Sequence, residues 1–582
     1  MSHRTLPLLL AAAVASCAKP SSHGIRTYAN PLDIGYKYNF EQLNQGISYR
    51  SGADPVIVTF HGDYYLFETL AGGWWHSKDL LHWSFVKPDK WPFEGVVAPA
   101  VAVANDTLFL LQSTFQQRPI LATTTPWNGH LFFYNRWLPP LPDSMPGPWD
   151  PDLFHDDDAR WFLYYGSSNY YPLFGVPLDP ARHLAYAGPP KPLIRLHPDQ
   201  HGWERFGLDH TDPRTPFIEG AWMTRHDGRY YLQYAAPGTE YNVYANGTYV
   251  GDHPLGPFTY APYNPVSYKP GGFMTGAGHG NTFQDDFGNF WNTGTAWVAV
   301  NWNFERRIVM FPAGFDADGD MYADTRFGDF PHYLPTKKWQ SPDELFTGWM
   351  LLSYRKKATA SSTQDTFPPS NVTDENPRTF WVAQNNTPGQ WLELDLGRPD
   401  TLRALQVNYT DYRSHIFVSD STVYTQFRVV ASLDGRHWRN IADLDRHRDR
   451  PNAYVELPAP VVARYVRYEH GYVAAHNLAI SDFRVFGNGD GPPPGTPADF
   501  TVHRLADRRD ADVTWTPVPG AVGYNVRWGI APDQLHQTYQ VFYDRPAPLH
   551  VRSLNVAPTY FFAIETFNEN GVSKLSRVVR VP

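Results

Sequence analysis

Cysteine is almost absent: Cys17 is the single one in 582 residues. That excludes an intramolecular disulfide framework and any cysteine-rich zinc site. A basic excess is missing too. The 49 Lys and Arg against 58 Asp and Glu leave a net charge of −9, so there is no electrostatic case for nucleic acid, whose footprint is a basic surface. Long apolar runs are confined to the first residues, and nothing later reads as a membrane span. Proline and glycine, 53 and 44 residues, stay below the low-complexity range. Aromatics are plentiful, with 20 Trp, 35 Tyr and 36 Phe. They fall in short runs cut by turn residues, which argues for an all-β chain. The length is about four times that of a typical domain, so several domains are expected.

The N-terminus accounts for the cysteine. Arg4 precedes the apolar stretch from Leu6 to Ala13, followed by Val14-Ala15-Ser16-Cys17. The stretch is too short to span a bilayer and has the form of an export signal. Small residues ending in Cys resemble a bacterial lipobox, which implies a lipoprotein signal peptide over 1–17 and lipidation of Cys17. Ala18 follows where an inner-membrane retention signal would have Asp, so the expected location is the outer membrane, facing the periplasm or the cell surface. Membrane contact is expected only through that lipid anchor.

A repeat runs from about residue 60 to 300, a polar turn followed by an aromatic strand. Its copies centre on Tyr65, Phe109, Phe162, Tyr231 and Trp291, which lie 44, 53, 69 and 60 residues apart. Each interval holds about four short strands, one propeller blade. Five copies predict a five-bladed β-propeller over 28–335, followed by a connector at 336–356. From Ala358 the texture changes. Trp391 to Leu396 alternates as a half-buried strand, and Asp434-Gly435 marks a hairpin. With Phe380-Trp381, Arg464 to Tyr468 and Ile480 to Gly487, the pattern over 357–488 resembles a discoidin-type (coagulation factor 5/8 type C) jelly roll, which implies a carbohydrate-binding domain. Residues 489–497, rich in Gly and Pro, read as a stiff linker. The segment 498–582 resembles a fibronectin type III sandwich: Trp515 is expected in its core, and Leu554 with Tyr560 has the spacing of a tyrosine corner. A spacer role is expected for it.

Three acids stand before the repeats at nearly equal distance. Asp54, Asp150 and Glu219 precede Tyr65, Phe162 and Tyr231 by 11, 12 and 12 residues. If the repeats are blades, these carboxylates converge at one end of the axis. Converging carboxylates push their pKa values apart, so one stays protonated as an acid and another ionised as a base, the pair that glycoside hydrolysis uses. Trp74, Trp75, Trp149 and Trp222 are candidate sugar platforms, with blade core as the competing role. His279 precedes Trp291 by 12 residues, in the same register as the acids, and is a candidate for the site or its axis.

Ala53-Asp54-Pro55, Asp150-Pro151-Asp152-Leu153-Phe154 with Asp156-Asp157-Asp158, and Glu219-Gly220 together resemble glycoside hydrolase family 43 over roughly residues 30 to 335. The resemblance implies hydrolysis with inversion, with Asp54 as general base, Glu219 as general acid and Asp150 tuning the acid's pKa. Base and acid would then stand about 6.5–9.5 Å apart, with room for a water. It implies exo action on arabinofuranoside, xyloside or galactofuranoside side chains of a polysaccharide or oligosaccharide. No cofactor is required; a structural calcium near His279 is compatible with the family, although the chain has no EF-hand-type loop. Asp156-Asp157-Asp158 reads as the hairpin turn after the Asp150 strand. Arg306 or Arg307 is expected against Asp150, and the sequence does not choose between them. Val97-Ala98-Pro99 departs from relatives that carry Trp before Ala-Pro. Two other readings stay open: a non-catalytic glycan-binding protein, and a retaining fructan-cleaving type whose Asn-Asp-Pro-Asn-Gly signature is missing around Asp54.

Overall fold

The computed structural model describes residues 26–39, 45–91, 97–113, 118–139, 149–416, 423–448, 453–543 and 548–582. The expected signal segment and Cys17 lie outside them. Among the described residues, helical structure is limited to short 3-10 turns, and no helix is long and apolar enough to cross a membrane.

Five antiparallel sheets follow one another among the described residues. Sheet 1 is built from Val56–Phe60, Asp63–Phe67, Trp74–Ser77 and Ser84–Val86. Sheet 2 runs from Ala100–Ala104 to Phe132–Leu138, and sheet 3 from Asp152–His155 to Lys191–Ile194. Sheet 4 starts with Glu219–His226 and ends with Phe258–Tyr260. Sheet 5 opens with Thr275–Gly278 and Thr282–Gln284, both paired to Phe290–Trp297, and continues through Arg306–Phe315 to Met321–Ala323. The repeated aromatic strand is the second strand of sheets 1 to 4 and, in sheet 5, the strand to which both opening strands pair.

First strands of successive sheets neighbour one another from sheet 1 to sheet 4, and sheet 5 lies between sheet 4 and sheet 1. Buried amides close the cycle. Asn281 of sheet 5 accepts from Ile57 N at 3.0 Å and donates to Ile57 O at 2.8 Å. Gln233 of sheet 4 donates to Gly280 O at 2.6 Å. These groups complete backbone partners that a sheet edge would otherwise leave unpaired.

Residues from Met350 to Asn488 form an eight-stranded sheet with Trp391–Tyr409 and Ala453–Val473 as its long central strands. It encloses a core that includes Leu394, Leu405, Phe427, Tyr468 and Phe483. The last unit stacks a three-stranded sheet on a five-stranded one, around Trp515, Trp528, Leu554 and Phe562. The Tyr560 hydroxyl accepts from Asn555 N at 2.8 Å.

The joints between the units are packed. Within the connector, Met350–Leu351 is a strand of the second unit's sheet, paired to Gly487 and Phe486, and Trp349 and Met350 sit in a cluster fed by all three units. The Gly/Pro linker is pinned along the last unit, with Gly489 N donating to Glu569 O at 2.8 Å and Gly491 N to Asn570 Oδ1 at 3.1 Å. The last unit is no spacer: Trp528 and Leu554 share one apolar cluster with Trp203 and Tyr268 of the first unit. Asn555 Nδ2 donates to Asn264 O at 3.1 Å, and Gln537 Nε2 to Tyr263 O at 2.8 Å.

Candidate active site

The equal spacing of the acids has a backbone counterpart. Asp54, Ala98 and Asp150 stand just ahead of the first strands of sheets 1, 2 and 3, and His279 stands between the two opening strands of sheet 5, all with left-handed backbone at φ 52°, 41°, 47° and 45°. In sheet 4 the left-handed residue is Gly220 at φ 63°, directly after Glu219. For a residue with a Cβ this conformation costs about 1–2 kcal/mol, and its recurrence at one end of a ring marks a site where surrounding structure holds the strain. The tight turn brings each side chain to the end of its sheet facing the others.

Hydroxyls near the ends of the second strands link neighbouring sheets. Thr69 donates to Asp54 Oδ2 at 2.5 Å and accepts from Ala98 N at 2.9 Å. Ser113 accepts from Asp150 N at 2.8 Å, and its Oγ lies 3.2 Å from Asp150 Oδ1. Ser167 reaches Glu219 Oε2 at 3.3 Å. Thr295 of sheet 5 accepts from Asp54 N at 2.9 Å, so the first acid is gripped from both sides of the ring. Sequence reasoning missed these hydroxyls. In sheets 1 to 3 they stand two residues past the second strand, as Thr69, Ser113 and Ser167 do after Phe67, Leu111 and Tyr165; that recurrence was the available signal.

The acids and His279 form one cluster. His279 Nδ1 lies 3.2 Å from Asp54 Oδ1 and 3.8 Å from Asp150 Oδ2. Ligand atoms of Asp150, Glu219 and His279 lie within 4.8 Å of one another. Arg306 Nη1 stands 3.8 Å from Asp54 Oδ1 and donates to Thr239 Oγ1 at 3.2 Å. The Tyr244 hydroxyl donates to Glu219 Oε1. Asp54 and Asp150 are buried, while Glu219 and His279 are half-buried.

Electrostatics separates the carboxylates. Glu219 is pushed up to about 8, by burial first and by the Asp150 charge second. Burial also raises Asp150, against the lowering influence of His279. At His279 burial works against the charged form, but the nearby Asp54, Asp150 and Glu219 outweigh it and raise its pKa. The result is a protonated acid at Glu219 near neutral pH, beside a histidine whose charged form the carboxylates favour.

The aromatic candidates divide. Trp74 and Trp75 are fully buried, Trp74 in the core between sheets 1 and 2 with its Nε1 donating to Pro126 O at 2.9 Å, Trp75 in the core shared with sheet 5. Neither offers a face to a sugar, which corrects that expectation: paired apolar positions on a strand inside a ring of sheets pack on both neighbouring sheets. Trp149 is half-buried beside Asp150. Trp222 lies partly buried against the Val56–Val101 cluster and donates to Thr282 O at 3.1 Å, which makes it a bridge between the first strands. Arg306 meets Asp54 instead of the expected Asp150, and Arg307 turns away to donate to Arg50 O at 2.6 Å. Asp156-Asp157-Asp158 forms the hairpin turn, with buried Asp156 accepting from Tyr230 at 2.8 Å and Arg160 at 3.0 Å.

The Asp150, Glu219 and His279 trio is compact enough to be weighed as a metal site. Calcium takes six to eight oxygen ligands. Here an imidazole replaces one, and Ser113 and Tyr244 already occupy carboxylate oxygens. The donor set does not fit calcium.

Residues 45–321 match the model of Glycosyl hydrolases family 43, and residues 357–476 match that of the F5/8 type C domain. The chain carries a family 43 glycosyl hydrolase domain. The match covers sheets 1 to 4, sheet 5 as far as Met321, and all four clustered residues. The chain is 30% identical over 218 residues to a "Putative beta-xylosidase" of Escherichia coli (strain K12), covering 32% of this chain and 36% of that protein. It is 26% identical over 139 residues to a "Xylosidase/arabinosidase" of Bacteroides ovatus, covering 19% and 38%. A solved "Glycoside hydrolase" aligns at TM-score 0.44 and 18% identity, over 75% of this chain and 97% of that one. The matches to the curated relatives span 36–39% of those proteins' length.

Proposed function

We propose that the chain is an inverting glycoside hydrolase, exo-acting on arabinofuranoside, xyloside or galactofuranoside side chains of polysaccharides or oligosaccharides. In this reading the five sheets of the family 43 domain are the blades of a propeller, and the last unit is a fibronectin type III domain. Two neighbouring carboxylates in contrasting surroundings carry the proposal. Glu219 faces burial, Asp150 and the Tyr244 hydroxyl, and is raised to about 8. Asp54 faces Arg306, His279 and the Thr69 hydroxyl.

The roles follow from that contrast. Glu219 holds the proton that the leaving glycosidic oxygen needs, and gives it up as the bond breaks. Asp54 takes a proton from the water that attacks the anomeric carbon from the opposite face, which inverts the configuration. Asp150 keeps Glu219 protonated through its charge and touches His279, which also lies against Asp54. The sugar class rests on the resemblance and on the names of the matched relatives.

A screen of nitrophenyl arabinofuranoside, xyloside and galactofuranoside tests the activity, with proton NMR of the first-formed anomer reading the stereochemistry. Asp54→Ala and Glu219→Ala each lower kcat on the accepted substrate by about 10³-fold or more with folding unchanged. Full activity in either variant, or a first product of retained configuration, rejects the assignment. For location we propose an exported lipoprotein anchored at Cys17 to the outer membrane; palmitate labelling that persists in Cys17→Ser would disprove it.

A further inference from the structure

The loop after Trp391–Tyr409 leaves the second unit's sheet and enters the first unit. Asp411 on it is buried at 1% exposure. Its Oδ1 accepts from the Tyr38 hydroxyl at 2.9 Å and from Arg50 Nε at 3.0 Å, and its Oδ2 accepts from Arg50 N at 3.0 Å. Arg50 Nη2 donates to Tyr409 O at 3.2 Å. Next to this grip, Ser48 N donates to Ser414 O at 3.1 Å, and Ser48 Oγ accepts from Ile416 N at 2.8 Å. Tyr38, Ser48, Arg50 and Ser414 are all buried.

The strand held in this way, Tyr49–Ser51, runs directly into Asp54. Its other side is tied to sheet 5. Arg307 Nη1 donates to Arg50 O at 2.6 Å, Arg306 N to Ser51 Oγ at 3.1 Å, and Gly52 N to Arg306 O at 3.1 Å. Arg307 Nη2 also stands 4.0 Å from Asp411 Oδ2. One buried carboxylate of the second unit therefore answers two arginines: Arg50 lies four residues before Asp54, and Arg307 is next to the arginine facing Asp54.

We propose that Asp411 is a positioning residue for hydrolysis, so that the F5/8 type C unit completes the active site of the family 43 domain in addition to any sugar it binds. The proposal rests on the reading of Asp54 as general base. A base must stand within hydrogen-bond reach of its water, and a misplacement of about 1 Å costs about 10²-fold. Asp411→Asn keeps the shape of the side chain but removes the charge that Arg50 and Arg307 face. In one amide orientation it also turns an NH2 group toward the Arg50 N–H, where no hydrogen bond forms. The Tyr49–Ser51 strand then loses its anchor on one side, and Asp54 with it.

The test is a cycle in the full chain, measured on an aryl glycoside: Asp411→Asn, Asp54→Ala and the double variant, with thermal midpoints for each. Asp411→Asn lowers kcat by about 10-fold or more while KM stays within about two-fold. In the Asp54→Ala background it causes no further loss, because the base it positions is already gone. Tyr38→Phe, which removes one hydrogen bond and keeps the ion pair, gives a smaller loss with the same non-additivity and carries the test if Asp411→Asn does not fold. Wild-type kcat in folded Asp411→Asn, or equal fold losses in both backgrounds, overturns the positioning role. Full activity of Asp54→Ala overturns the reading of the base, and the positioning role with it.

Discussion

Two neighbours of Glu219 act with opposite sign on the same proton. The Asp150 charge raises its pKa, and the Tyr244 hydroxyl lowers it by bonding the ionised form. In the proposed role of general acid Glu219 must keep its proton, so activity falls as pH rises through about 8. Asp150→Asn moves that alkaline limb to lower pH, and Tyr244→Phe moves it to higher pH, each by about one unit. Burial remains in both variants, so neither limb reaches the range of an exposed carboxylate. A pH profile of kcat/KM checks the pair; shifts of the same sign in both variants would contradict the arrangement. The acids themselves were legible because each sits a fixed distance before an aromatic strand. Tyr244 and the hydroxyls were not, since Ser, Thr and Tyr near strand ends are ordinary turn and edge residues. Their role depends on which neighbouring sheet they face.

At the level of elements, the ring is closed by polar side chains that no periodicity announces. Asn281 satisfies both the N–H and the C=O of Ile57. Asn281→Ala leaves both unpaired in a buried seam and costs about 2–4 kcal/mol, read as a lower thermal midpoint with KM unchanged. Trp74→Ala empties a buried position between sheets 1 and 2 and costs about 3–5 kcal/mol; a large rise in KM without loss of stability would restore Trp74 as a sugar contact. The five aromatic strands were legible from composition and turn residues. The assignment of Trp74 and Trp75 was not, because a strand buried on both faces between neighbouring sheets carries aromatics without marking a binding surface.

At the scale of the molecule, the three units share apolar clusters and buried ion pairs instead of meeting through tethers. Large apolar interfaces couple unfolding, whereas tethered domains melt separately. Calorimetry of the full chain is expected to show one dominant transition; three resolved transitions would show that the joints are loose. The change of texture at Ala358 and the Gly/Pro run after Asn488 marked the boundaries in the sequence. What those boundaries do was not visible there, because composition reports how stiff a segment is and not what it lies against.

From the sequence alone came the strand-rich class, the repeat, the three acids and His279 in one register, and the two changes of texture along the chain. These are local or periodic properties, written in residue types and spacings. The tertiary structure decided which arginine meets Asp54, which tryptophans are core, which hydroxyls hold the acids, and that a loop of the second unit braces the strand leading to Asp54. Those partners lie tens to hundreds of residues apart, up to 373 for Tyr38 and Asp411. Their pairing depends on burial in a shared interior, where a charge must find its counterpart and no local pattern records which one it is.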